Sequence, residues 1–214
     1  MPEYFEMCRD SERYAWIRTE TLGAHGDEYM YHISRDKRSR QSAELIYKGL
    51  LECVAQKSFD LITISDLQKS SGVARTTFYR NFDNIADVPY WKCDTCFHEV
   101  LVENVSGMFA NEMELAKKYF IYWTKHSDIL DLLIKINRQD IIYDCHMKNA
   151  DLLQKRFGAL PYLPVAHGDY FMAIRTGFTI SVLTAWIKGG RKESPDELVE
   201  IIQEQIRIIA REGV

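Results

Sequence analysis

With 214 residues, 46% of them hydrophobic and 12% aromatic, the chain can bury a core, which excludes wholesale disorder; 5 prolines and 11 glycines suit long helices better than short strands. Five cysteines (Cys8, Cys53, Cys93, Cys96, Cys145), odd in number and widely spaced, exclude the pattern of a secreted disulfide scaffold. The net charge of −4 argues against a nucleic-acid partner only until it is divided: residues 1–33 hold 3 basic and 7 acidic side chains, residues 34–92 hold 10 and 7, and residues 93–214 hold 14 and 17.

Residues 1–33 read as an N-terminal extension, acidic, aromatic-rich (Tyr4, Phe5, Tyr14, Trp16) and interrupted at Gly23 and Gly26. A loosely packed or disordered added helix fits them, and so does a translation start at Met30. They lack the basic start and apolar run of a signal peptide, so a reducing cytoplasm is the expected location.

From Ser34 the chain turns basic, and Leu45, Ile46, Leu50, Cys53 and Val54 then recur at helical spacing, predicting a helix over roughly 39–57. Thr63 is placed as an N-cap, with Asp66 three residues on in a variant capping box. The short helix that follows runs to about Ser70, where Gly72, the residue best able to take a left-handed corner, ends it. A third helix is predicted from about Ala74 to Phe82. Ala74, Phe78 and Phe82 share its apolar stripe, with Ile64, Leu67 and Val73 as partners. Thr76 and Arg80, flanked by Arg75, Thr77 and Tyr79, make the opposite face. A short helix with such a front suits a DNA major groove, where arginine bonds guanine edges and hydroxyls meet bases or phosphates.

Beyond Asp83 further helices are predicted at about 91–106, 109–125, 127–136, 139–157, 168–189 and 195–211, which makes the fold all-α. Pro89 falls in a first turn if its helix begins near Asp87. The most apolar stretch, Phe171 to Ile187, is 17 residues long and contains Arg175, so it reads as a buried helix and no membrane partner is expected. Gly189-Gly190 ends one helix, and Ser194-Pro195-Asp196-Glu197 starts the next with a cap, a first-turn proline and acids facing the positive dipole end.

The runs Ile62-Thr63-Ile64-Ser65-Asp66-Leu67 and Ser71-Gly72-Val73-Ala74-Arg75-Thr76-Thr77-Phe78-Tyr79-Arg80-Asn81-Phe82 resemble the signature of the tetracycline-repressor (TetR/AcrR) family of bacterial regulators. The tail from Trp186 to Gly190 and from Glu193 to Leu198 is similar to the C-terminal domain of one branch. The resemblance implies a helix-turn-helix DNA-binding domain over 34–92 and a helical effector-binding and dimerisation domain over 93–214. It further implies a homodimer on a palindromic operator and a ligand-responsive repressor, with no cofactor. By position, Arg75, Thr76, Thr77 and Arg80 would face bases, and Thr63, Tyr79 and Asn81 would hold phosphates. Two positions depart from the family: Ala74 stands where a capping hydroxyl is usual, and Ile85 where a phosphate-binding lysine is common. DNA binding is then expected to lean on Lys37, Arg38 and Arg40.

For an unknown small-molecule effector the aromatic candidates are Tyr119, Trp123, Tyr143, Phe171 and Phe178; each of these is alternatively plain core. Phe178, Val182 and Trp186 on one helix, with Leu198, Ile201, Ile202 and Gln205 on the next, are the expected dimer face, or else bury within one protomer. Cys93 and Cys96 share a helix face and admit a thiol or metal sensor, but four zinc ligands at finger spacing are missing and no metal is expected. Nothing resembles a phosphate loop, nucleophile elbow or paired-histidine zinc motif, so an enzyme is not expected. The second function class is a co-regulator on the same scaffold that grips another protein, motivated by Ile85.

Overall fold

The computed structural model describes residues 31–34, 36–99, 112–149 and 168–211, and within these the chain is all-helical: nine α-helices, one 3-10 turn and no strand. Helix α1 (Lys37–Gln56) starts two residues earlier than its apolar periodicity suggests. The Asp36 carboxylate accepts from the Arg38 amide at 3.2 Å and caps it, so the basic run lies inside the first turn. Ala43, Ile46, Tyr47, Leu50, Cys53 and Val54 form its buried face.

After a 3-10 turn at Phe59–Leu61, Thr63 caps α2 (Ile64–Ser71) in a complete capping box with Asp66, as expected. Lys57 and Thr63 hold the Asp66 carboxyl well below the usual carboxylate range. Gly72 takes φ +70° and turns the chain into α3 (Arg75–Asn81). Phe78 and Phe82 are buried, as predicted, but Ala74 is exposed: it lies outside the helix as an N-cap with no side-chain bond.

Nine of the twelve residues of helix α4 (Asp87–His98) are buried, and only Lys92, Thr95 and His98, on one stripe, reach the surface. Its start is tied down by Asp87, whose carboxylate accepts from the amides of Asp83 and Asn84 at 3.0 and 2.8 Å, and Pro89 sits in the first turn. This helix runs unbroken through the expected domain boundary at residues 92 and 93. One apolar core accordingly continues from Leu50 and Phe78, through Trp91 and Phe97 on α4, to Trp123 and Ile141. Phe82 packs between Phe78 and Trp91, with ring centroids 5.7 and 5.9 Å away.

The remaining helices are α5 (Glu112–Lys125), α6 (Ser127–Lys135), α7 (Asp140–Lys148), α8 (Gly168–Lys188) and α9 (Pro195–Arg211). Helix α9 packs on α5, and α7 packs on α4 and α8. Between α8 and α9 the chain reverses through Gly190 at φ +88° and Arg191 at φ +57°. Trp186 Nε1 donates to the Glu193 carbonyl across this turn at 2.9 Å, and Ser194 and Glu197 form a second capping box. Residues 31–33, counted with the extension in the sequence reading, belong to the folded head. Tyr31 makes an isolated antiparallel bridge to Phe82, and Ile33 is buried in the core. Residues 1–30 lie outside the described residues.

At Gly49, α1 crosses the end of α2 so closely that an added Cβ would meet the Ser71 backbone nitrogen and Cβ at 2.9 Å. Overpacking costs about 1–3 kcal/mol, against roughly 1 kcal/mol gained by alanine in a helix interior. Gly49→Ala is therefore expected to lower the urea midpoint. Gly177→Ala, whose added Cβ meets nothing within 4 Å, is expected to leave or raise it.

Candidate nucleic-acid interface

Helix α3 turns Phe78 and Asn81 inward and leaves Arg75, Thr76, Tyr79 and Arg80 exposed along one side, with Thr77 half-buried between. Tyr79 leans edge-on against Phe78, with centroids 5.6 Å apart. The Arg75 guanidinium lies 5.6 Å from the Tyr79 ring centre and donates to its hydroxyl at 3.3 Å. Tyr79 is thus a rigid prop that holds Arg75 extended along the helix.

The start of α1 is brought to the end of α3 by two bonds. Ser39 Oγ donates to Asn81 Oδ1 at 2.7 Å, and the His32 amide donates to the Asn81 carbonyl at 2.8 Å. Lys37, Arg38 and Arg40 are exposed on this side. Lys57 is bound to Asp66 and Lys92 to Glu44, while Lys37, Arg38, Arg40, Lys48, Lys69, Arg75 and Arg80 enter no ion pair among the described residues. Five of these seven cations stand on α3 or in the first turn of α1, with the exposed carboxylates of Asp36 and Asp83 beside them.

Asn81 corrects the sequence reading. It was expected to hold a phosphate, but it is 1% exposed, its oxygen accepts from Ser39 and its Nδ2 is enclosed without a partner. It joins α1 to α3 and has no surface to offer. Thr63 is exposed, yet its hydroxyl already donates to Asp66 Oδ2 at 2.6 Å and accepts from the Asp66 amide at 3.2 Å. Ile85 is half-buried and packs against the core, so that position carries packing where the resembled family commonly carries charge.

The aromatic candidates do not converge. Trp123 is enclosed, and the Tyr119 hydroxyl donates at 2.7 Å to His146 Nε2, whose Nδ1–H donates to the Ile142 carbonyl at 2.9 Å. Phe97 fills the space between, 4.0 Å from the His146 ring and 5.2 Å from Trp123. Tyr143 and Phe178 are instead 42% and 39% exposed, and the side chain of Phe171 lies outside the described residues. A groove of about 250 Å³ occurs elsewhere, between α1 and α6, lined by Leu51, Val54 and Leu132 and rimmed by Asp128, Asp131 and Lys135. His146, weighed with Cys145 as a remote metal ligand in the sequence, is a buried histidine of the core. Its signal is its spacing, four residues after Ile142 and beside Cys145 on the buried stripe of α7.

The expected dimer face splits. Trp186, Leu198 and Ile202 are buried within the protomer and Val182 packs against the core, because α9 lies on α5 while α8 lies on α7 and α6. Phe178, Ile201 and Gln205 stay exposed, joined by Tyr170 and Ile174 on α8 and by Ile206 and Ile208 on α9. The thiols are enclosed as well. Burial, with Cys93 beside it, pushes the Cys96 thiol up to about 12, and burial pushes Cys145 well above its usual value. Protonated thiols of this kind are poor nucleophiles. Among the described residues no three metal-ligating side chains cluster, and no helix is long and apolar enough to cross a membrane.

No family model matches the sequence. No curated protein matches it either. The fold is similar to the crystal structure of Lin0861 from Listeria innocua, with a TM-score of 0.71 at 18% identity, covering 85% of this chain and all of that one.

Burial holds His146 neutral, its value lowered to about 4 from 6.5. The unfolded chain takes up that proton first, so stability is complete above pH 6.5 and is lost as pH falls from 6.5 toward 4. The slope approaches about 1.4 kcal/mol per pH unit in that window. His146→Gln is expected to remove this component, read as the difference between wild-type and variant denaturant midpoints across pH 4.5–7.

Proposed function

We propose that the chain is a sequence-specific DNA-binding regulator of TetR/AcrR type, a homodimer that reads a palindromic operator with α3 and responds to a small effector. The observation that carries this reading is the outer side of α3, where Arg75, Thr76, Tyr79 and Arg80 are exposed beside unpaired Lys37, Arg38 and Arg40. Arginines there would read guanine edges in the major groove, while the cations at the start of α1 would bind phosphates. The likeness of fold to Lin0861 is compatible with that reading and does not specify it.

A homodimer follows from the exposed apolar residues of α8 and α9. Tyr170, Ile174 and Phe178 recur every four residues on one helix, and Ile201 and Ile208 stand on the next. Exposed apolar side chains in such number support an association site on these helices. The co-regulator reading draws on Ile85, which packs on the core where a phosphate-binding cation would otherwise stand.

Selection of bound duplexes from a random library is expected to yield a two-fold symmetric site. Arg80→Ala and Thr76→Ala should each relax specificity at one position per half-site by about 1–3 kcal/mol. Lys37→Ala or Arg38→Ala should weaken all sequences alike and reduce the salt slope by about 0.9 per lost phosphate contact. Unshifted DNA at micromolar protein and low salt would sink the reading in favour of protein contact. In sedimentation, the wild-type chain is expected to run as a dimer and the double variant Phe178→Glu, Ile201→Glu as a monomer; a monomeric wild type removes the homodimer.

A further inference from the structure

Asp94 is the one carboxylate on the body-facing half of α4, and it is 1% exposed. Its Oδ2 accepts from the Tyr31 hydroxyl and from Lys148 Nζ, the latter at 2.9 Å, and its Oδ1 accepts from Asn149 Nδ2 at 2.9 Å. Lys148 Nζ also lies 5.1 Å from the centre of the Tyr31 ring and 5.3 Å from that of Tyr90. Burial alone would favour a neutral acid, but Lys148 and Tyr31 hold Asp94 below its ordinary range, and both of its oxygens are taken up by these bonds and that of Asn149.

These partners come from three places in the chain. Lys148 and Asn149 close α7, Asp94 stands on α4, and Tyr31 precedes the first helix of the head. Beyond Tyr31 the same short segment grips the reading helix. Tyr31 bridges to Phe82, the His32 amide bonds to the Asn81 carbonyl at 2.8 Å, and Ile33 is buried in the head. A strap of three residues thus has one end on α7 and α4 and the other on the last residues of α3. Helix α7 is in turn tied to α5 by the bond between His146 and Tyr119. A displacement of α7 reaches α3 by this strap as well as through α4.

We propose that Tyr31, Asp94 and Lys148 form a latch through which the body sets the position of the α3 reading surface. Closed, it holds the end of α3 and the start of α1 in register; opened, it releases residues 31–33 and leaves α3 anchored by its own apolar face and by the Ser39–Asn81 bond. The proposal rests on the DNA reading of α3 and adds a route of regulation to it.

Tyr31→Phe tests the latch, because it removes one hydroxyl and keeps the ring in place. The expected result is faster hydrogen exchange at the His32 amide by about tenfold, with the slowest amides of α4 near wild type, and operator binding weakened by about tenfold, an ordinary coupling factor. Lys148→Met should give the same pair of changes, and the double variant should add little to either. Arg80→Ala is the contrast, losing operator while His32 exchanges at the wild-type rate. Exchange at His32 that is unchanged, or that rises only in step with the α4 amides, overturns the latch. So does faster exchange with undiminished operator affinity. A wild-type chain that selects no duplex overturns the DNA reading instead, and the proposal falls with it for that separate reason.

Discussion

A helix buried on all sides has no face to give to water, and every polar group on it must find its partner inside the protein. Helix α4 comes close to this, with nine of its twelve residues buried, and its neighbours are arranged around what it requires. Trp91 receives Phe82 from the end of α3, Phe97 receives Trp123 and His146, and Asp87 answers the free amides of the turn before it. Residues before and after α4 pack on this one element, which spans the boundary expected between residues 92 and 93.

The head treats its cations unequally, and that inequality is where its chemistry resides. Two lysines are placed against carboxylates and serve the fold. Seven other basic side chains, five of them on α3 and the start of α1, enter no ion pair among the described residues. Desolvated hydrophobic contacts beneath them, Phe78 and Phe82 above all, hold the helix whose outer surface stays wet. Stability and exposure of charge are thereby separated onto two sides of seven residues.

Helix positions were legible because their ends carry local chemistry. The Thr63–Asp66 box, the left-handed Gly72 and the Ser194 start each act within four residues, and the structure places all three as expected. The outward face of α3 was equally legible from its period. Asn81 was not, since its burial depends on Ser39, 42 residues away. Tyr31 was hidden for the same reason: its partners lie 63 and 117 residues along the chain. The last helices illustrate a third limit. Period alone grouped Leu198, Ile201 and Ile202 on one stripe, but only the arrival of α5 decides which of them are covered.

The reversal between α8 and α9 has a bearing on assembly. Two consecutive left-handed residues, a reciprocal cap and an indole N–H bonded across the turn leave little freedom in the angle between the two helices. The directions in which α8 and α9 leave the turn are therefore set on folding, and with them the placement of the apolar side chains the two helices expose. A turn ordered in this way has already given up the backbone freedom that a floppy hairpin would keep.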